Sequence, residues 1–155
     1  SSIRDFPAVL VNNFLSFTNT VGSQTILLSD LKAANFTNCI IEGNQNIEFF
    51  LDRIDGALFE YNFKNNLLKF DDTNGKFTDN PLYDFDDVSH YQNNVLNGVP
   101  DFKDLENNEY IIGEASDANA NADLNAALQV PFDILGVSRT LSPDIGAYQH
   151  IVFEE

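Results

Sequence analysis

Tryptophan and methionine are absent, cysteine occurs once, and basic residues are scarce: 8 Lys and Arg against 24 Asp and Glu in 155 residues. A lone cysteine excludes an internal disulfide and a thiolate metal cluster; Cys39 reads as a buried structural thiol. A net charge of −16 argues against nucleic acid, whose phosphates need Lys and Arg to neutralise them. It argues equally against an anionic membrane surface. It permits divalent cations, although a solvated acidic surface that aids solubility is the plainer reading. No apolar run is long enough for a transmembrane segment, and no secretory signal is visible. The chain opens Ser-Ser rather than Met, which reads as a processed product or a piece of something longer.

What is present is phenylalanine, 14 residues of it, within an ordinary hydrophobic content of 43%. That is enough for one domain with a sizeable core. There is also a repeat. Asn12-Asn13-Phe14-Leu15-Ser16-Phe17, Asn38-Cys39-Ile40-Ile41-Glu42-Gly43 and Asn65-Asn66-Leu67-Leu68-Lys69-Phe70 align, with separations of 26 and 27 residues. The helical 3.6-residue pattern is missing, and the runs are bounded by Asn, Gly, Thr and Asp as strands are. Further strand-like runs lie between them at Thr25–Leu28, Ile47–Leu51 and Ala57–Phe63. A fixed period in the twenties with short strands predicts a right-handed parallel β-helix, a solenoid of about three rungs with a C-terminal capping region.

Alternation along each strand then assigns faces. Leu15, Ile41 and Leu68 are expected to pile up inside the coil. Asn13 and Asn66 are expected to form an amide ladder that Cys39 interrupts. Glu42 and Lys69 face water one above the other, roughly 4.8 Å apart by strand spacing. Phe14, Ile40 and Leu67 form an apolar outer column that is either covered by another segment or a binding strip. The pattern is read to stop after Phe70. Residues 1–78 are then the rungs, and residues 79–155 a loop-rich cap packed on the coil. Tyr83, Phe85, Tyr91 and Phe102 are expected to anchor the cap on the outer column. Glu109–Gly113 reads as a strand, Ala118–Leu128 as a short helix, and Ala147–Phe153 as a terminal strand.

The tail carries Pro131, Asp133, Gly136 and Arg139, then Pro143-Asp144-Ile145-Gly146-Ala147-Tyr148-Gln149. It resembles the C-terminal signature of secreted or surface right-handed parallel β-helix (pectin-lyase-like) proteins of Bacteroidota type. That signature runs Asp-x-x-Gly-x-x-Arg and, after a short gap, Asp-Ile-Gly-Ala-Tyr-Glu. Gln149 departs from it. Val99–Phe102, Glu109–Ile112 and Asn38–Asn44 resemble other elements of the group, whereas Glu114–Ala118 departs. The resemblance implies an extracytoplasmic protein, at the cell surface, in the outer membrane or secreted. It also implies that further rungs precede residue 1 and that this segment closes the coil.

Several groups of residues could carry chemistry. Asp133, Gly136, Arg139, Asp144, Gly146 and Tyr148 read as a structural cap, with Arg139 pairing a carboxylate in two-pronged fashion. Asp84, Asp86 and Asp87 are the nearest approach to the clustered acids of a polysaccharide hydrolase or the base of a lyase. No basic partner accompanies them. Asp117, Asn119, Asn121 and Asp123 alternate like the oxygen ligands of a calcium loop, but Ala122 and Leu128 stand where Gly and an acid belong. His90 and His150 have no ligand-like spacing. The reading is therefore a non-catalytic cap and interaction scaffold without a required cofactor. Its expected partners are preceding rungs of the parent chain, an outer-membrane assembly or extracellular polysaccharide. The rival readings are a fragment of a polysaccharide lyase or glycoside hydrolase, and a calcium-dependent adhesin.

Overall fold

The computed structural model describes residues 5–154. Left-handed asparagines organise it. Asn38, Asn65 and Asn93 have φ of 57°, 51° and 51°, a conformation that Asn tolerates better than most side-chain-bearing residues. Each sits between two strands. Strand β4 (Leu31–Thr37) leads to β5 (Ile40–Ile41), β7 (Phe59–Lys64) to β8 (Leu67–Leu68), and β9 (Tyr91–Gln92) to β10 (Val95–Leu96). The three layers pair in parallel as β4-β7-β9 and β5-β8-β10. Phe36, Phe63 and Tyr91 share one register position, and Ile40, Leu67 and Val95 share another.

The expected β-helix of about three rungs is nevertheless overturned. Among the described residues the strands form five small sheets of two or three, three of them parallel and two antiparallel. The first repeat copy does not stack. Its residues split into β1 (Val9–Asn12), which pairs in parallel with β6 (Phe49–Asp52), and β2 (Phe14–Thr18). Strand β2 folds back antiparallel on β3 (Gln24–Leu28). Leu15 lies opposite Leu27 and is 62% exposed, so it is not piled on the buried Ile41 and Leu68. The physical reason is local. Asn12 continues β1 as strand and is not among the left-handed asparagines. A hairpin closed by the Asn19–Ser23 turn needs only a short loop, where parallel pairing needs a long crossover. Asn19 Oδ1 accepts from the Val21 and Ser23 N–H groups at 3.1 and 2.9 Å.

The repeat also continues past Phe70, where it was read to stop. Asn93-Asn94-Val95-Leu96 is a further copy, and Asn94 Oδ1 accepts from Asn66 Nδ2 at 2.9 Å across a 28-residue separation. The amide ladder therefore joins Asn66 to Asn94, with the Cys39 N–H donating to Asn66 Oδ1 at 2.8 Å. Asn13 serves elsewhere, bracketing Ile54 through its N–H and carbonyl, both at 2.9 Å. The charge pair is as read: Lys69 Nζ lies 2.8 Å from Glu42 Oε1. At partial exposure it contributes at most about 1 kcal/mol.

Aromatic rings fill the main core. Phe36 and Phe63 stack at 4.7 Å, and Phe63 and Tyr91 at 5.6 Å. Phe49, Phe70, Phe77, Tyr83 and Phe85 close around them. Tyr83, Phe85 and Tyr91 thus enter the inner core rather than the outer column; Phe102 alone of the four packs beside Leu67. The Tyr83 oxygen accepts the Leu51 N–H at 2.8 Å, and burial pushes its phenol up to about 12. The apolar column Ile40, Leu67, Val95 is covered by Ile112, Ala118 and Ile145. Phe14 does not join it.

Further elements among the described residues are β11 (Phe102–Asp104), antiparallel to β12 (Glu109–Ile112), and the α-helix α1 (Leu124–Gln129). The helix is shorter than expected because residues 117–123 run along the asparagine corners. The terminal strand reduces to a single bridge, Gly113 to Ile151. Among the described residues, no helix is long and apolar enough to cross a membrane.

Candidate functional site

The side chains singled out from the sequence are placed as follows. The calcium-like alternation is a strap over the corners. Asn38 Nδ2 donates to the Asp123 carbonyl at 3.1 Å and Asn38 Oδ1 accepts the Asp123 N–H at 2.6 Å. Asn65 Nδ2 donates to the Asn121 carbonyl at 2.8 Å. The two-residue step from Asn121 to Asp123 thus carries the strap from one asparagine corner to the next, a structural use of the alternation. Asp117 Oδ2 accepts the Val99 N–H at 2.6 Å, and Asn119 Nδ2 donates to the Gly113 and Glu114 carbonyls, both at 3.0 Å. Among the described residues, no group of three His, Cys, Asp or Glu is disposed to hold a metal.

Asp123 caps α1 by accepting the Ala126 N–H at 2.8 Å, and it meets Lys64 Nζ at 2.6 Å. The Lys64 ammonium, then the Ala126 N–H, hold its carboxyl below the ordinary carboxylate range. A depressed folded value means the stabilisation is present above the unfolded value, near about pH 4, and is lost as pH falls through the folded value. Asp123→Ala should cost about 1–2 kcal/mol in urea unfolding at neutral pH. The gap from the parent chain should close in acid. An equal gap at all pH values would contradict this role.

Asp84, Asp86 and Asp87 lie just beyond the 3-10 turn Pro81–Tyr83. Asp84 accepts the Asp86 N–H at 3.1 Å, and Asp87 accepts the Ser89 N–H and hydroxyl at 2.9 and 2.6 Å. Those Ser89 bonds lower the Asp87 carboxyl. Each of these bonds serves a local turn.

In the tail, Asp133 Oδ1 accepts from Leu135 and Val137, both at 2.8 Å, and Oδ2 from Gln149 N–H at 2.9 Å. Asp144 is fully buried and accepts from Ala120 N–H, His150 N–H and His150 Nδ1, each at 2.7 Å. The buried Arg139 does not form the two-pronged carboxylate pair. Its Nη2 donates to the Asp144 backbone carbonyl at 2.6 Å. Gly136 turns with φ of 82°. Gly146 has φ of 107°, and a Cβ there would meet Ile40 Cδ1 at 2.8 Å. That close approach lets the tail lie on β5, where the Gly146 N–H donates to the Asn38 carbonyl at 2.9 Å.

Where the tail meets the repeat, a cleft of about 630 Å³ opens, lined by Asn38, Cys39, Ile40, Glu42, Phe102, Tyr110, Gly146, Ala147 and Tyr148. Phe102 and Tyr110 stand edge to face at 5.5 Å. Tyr110 is exposed and Tyr148 half-buried. Glu42 is tethered to Lys69 through Oε1. Burial pushes the Cys39 thiol up, so it is a wall of the cleft rather than a nucleophile. No family model, curated protein or solved structure matches this chain. The cleft was missed in the sequence because its walls come from three separate stretches; Cys39, Ile40, Glu42, Phe102, Gly146 and Tyr148 had each been singled out, but as a structural thiol, part of an outer column, half of a charge pair, an anchor and two cap residues.

Proposed function

We propose that the chain is a non-catalytic, extracytoplasmic interaction scaffold that binds neutral polysaccharide in the cleft between β5 and the tail. The observation carrying this reading is the cleft's composition: three aromatic rings and one anchored carboxylate around an open space. Flat rings accept the apolar faces of sugar rings, and a few fixed polar groups orient the hydroxyls. Glu42 and the overall charge of −16 disfavour an acidic polymer by like-charge repulsion. The extracytoplasmic setting rests on the resemblance of residues 131–149 to secreted proteins. The acids at 84, 86 and 87 support no rival catalytic reading, since Asp84 and Asp87 are held in turns.

Titration with neutral cello- and xylo-oligosaccharides, followed by tyrosine fluorescence and calorimetry, tests this. Tyr148→Ala should weaken binding about tenfold, or about 1.4 kcal/mol. Asp86→Ala should leave binding unchanged, and no unsaturated or reducing product should form. Turnover of pectin or alginate that Asp86→Ala abolishes would replace the binding reading with an enzymatic one. Oligosaccharide affinity indifferent to Tyr148→Ala would remove the cleft.

A further inference from the structure

The hairpin β2–β3 exposes a compact group of large apolar side chains. Leu15, Phe17 and Leu27 project from one face, and all are exposed. The opposite face is turned inward only at its base, where Phe14 is half-buried and Leu28 lies within contact range of Gly56; Ile26 on that face is exposed. Both outer edges of this two-stranded sheet are unpaired among the described residues. Two-stranded hairpins are marginal in water without a packed face. Edge strands that stay solitary usually carry Lys, Pro or a bulge, and Phe14–Leu28 contains neither residue and pairs in unbroken register.

Charge points to the occupant. No Asp, Glu, Lys or Arg lies between Asp5 and Asp30 in a chain of net charge −16. A basic partner finds no carboxylate on the hairpin. A glycan finds little to bond on this face, where Thr25 carries the one hydroxyl among the paired side chains Leu15, Phe17, Thr25 and Leu27. A second copy of the same chain meets no like charge at the contact itself, the one condition under which two strongly acidic chains approach closely. We infer that the Leu15–Phe17–Leu27 face packs against its equivalent in a second copy about a two-fold axis, forming a homodimer. Such a contact is isologous and self-complementary. It shares no residue with the cleft, so the dimer would present two clefts.

Sedimentation of the whole chain across concentration, at low and high salt, tests this. Dimer is expected, and it should strengthen with salt as repulsion between the acidic bodies is screened. Amide exchange at residues 14–28 should slow as concentration rises. The double variant Leu15→Glu, Leu27→Glu should be monomeric with an unchanged far-UV spectrum. If that variant fails to fold, the exchange measurement on the parent chain still decides. A parent chain that stays monomeric up to about 1 mM overturns the inference, as does a folded double variant that still dimerises. A monomer that captures an unrelated strand peptide on the hairpin overturns it too.

Discussion

Phe63→Ala should remove about 3–5 kcal/mol of stability, the largest loss expected from any single side chain here. Phe63 is fully buried. It lies between Phe36 and Tyr91 at 4.7 and 5.6 Å and tilts against Phe49 at 5.1 Å. Truncation leaves a ring-sized gap in the middle of a stack whose members are fixed by strand register, so neighbours cannot slide in to fill it. Against a total of about 5–15 kcal/mol for a typical domain, that loss is a large share. Urea unfolding should show a much lower midpoint, whereas the highly exposed Leu141 can become Ala at a cost within about 0.5 kcal/mol. A Phe63→Ala loss below about 1 kcal/mol would mean that the stack is not the core.

Asp144→Ala should cost about 3 kcal/mol. The carboxylate is fully buried, and its two oxygens tie the 116–123 strap, through Ala120, to the tail, through His150. Removing it strands donors that had a charged acceptor, which is dearer than losing a neutral bond. Asp144→Asn should lose less, because one oxygen remains. Amide exchange should speed up at Ala120 and His150 in the Ala variant while residues 59–68 stay protected. Equal acceleration everywhere would show that the residue supports global stability rather than this junction. The cleft depends on the same junction, so oligosaccharide affinity should fall with it.

Sequence reading succeeded where neighbours in the fold also occupy equivalent places in a repeat. Asn38 and Asn65 mark real corners, and Glu42 and Lys69 do face each other. It failed where one letter adopts two conformations. Asn12 occupies the same place in the alignment as Asn38 but stays extended in β1, so Leu15 left the expected stack for a hairpin. It failed again at Asn93-Asn94-Val95-Leu96. The surrounding Asn, Asp and Pro read as loop, and the period had drifted to 28. The partner of Arg139 was not legible either: a carboxylate was expected where a backbone carbonyl stands.

Composition and order alone required a strand-rich chain with an aromatic interior and an acidic exterior, because alternation, period and charge are local properties of the string. Which copies stack, where the hairpin departs, and how the tail closes a cleft against β5 depend on contacts between residues far apart in the chain. Asn38 grips Asp123 across 85 residues, a pairing that no local pattern encodes. Its geometry emerges when the asparagine corners line up and the strap finds their free amides.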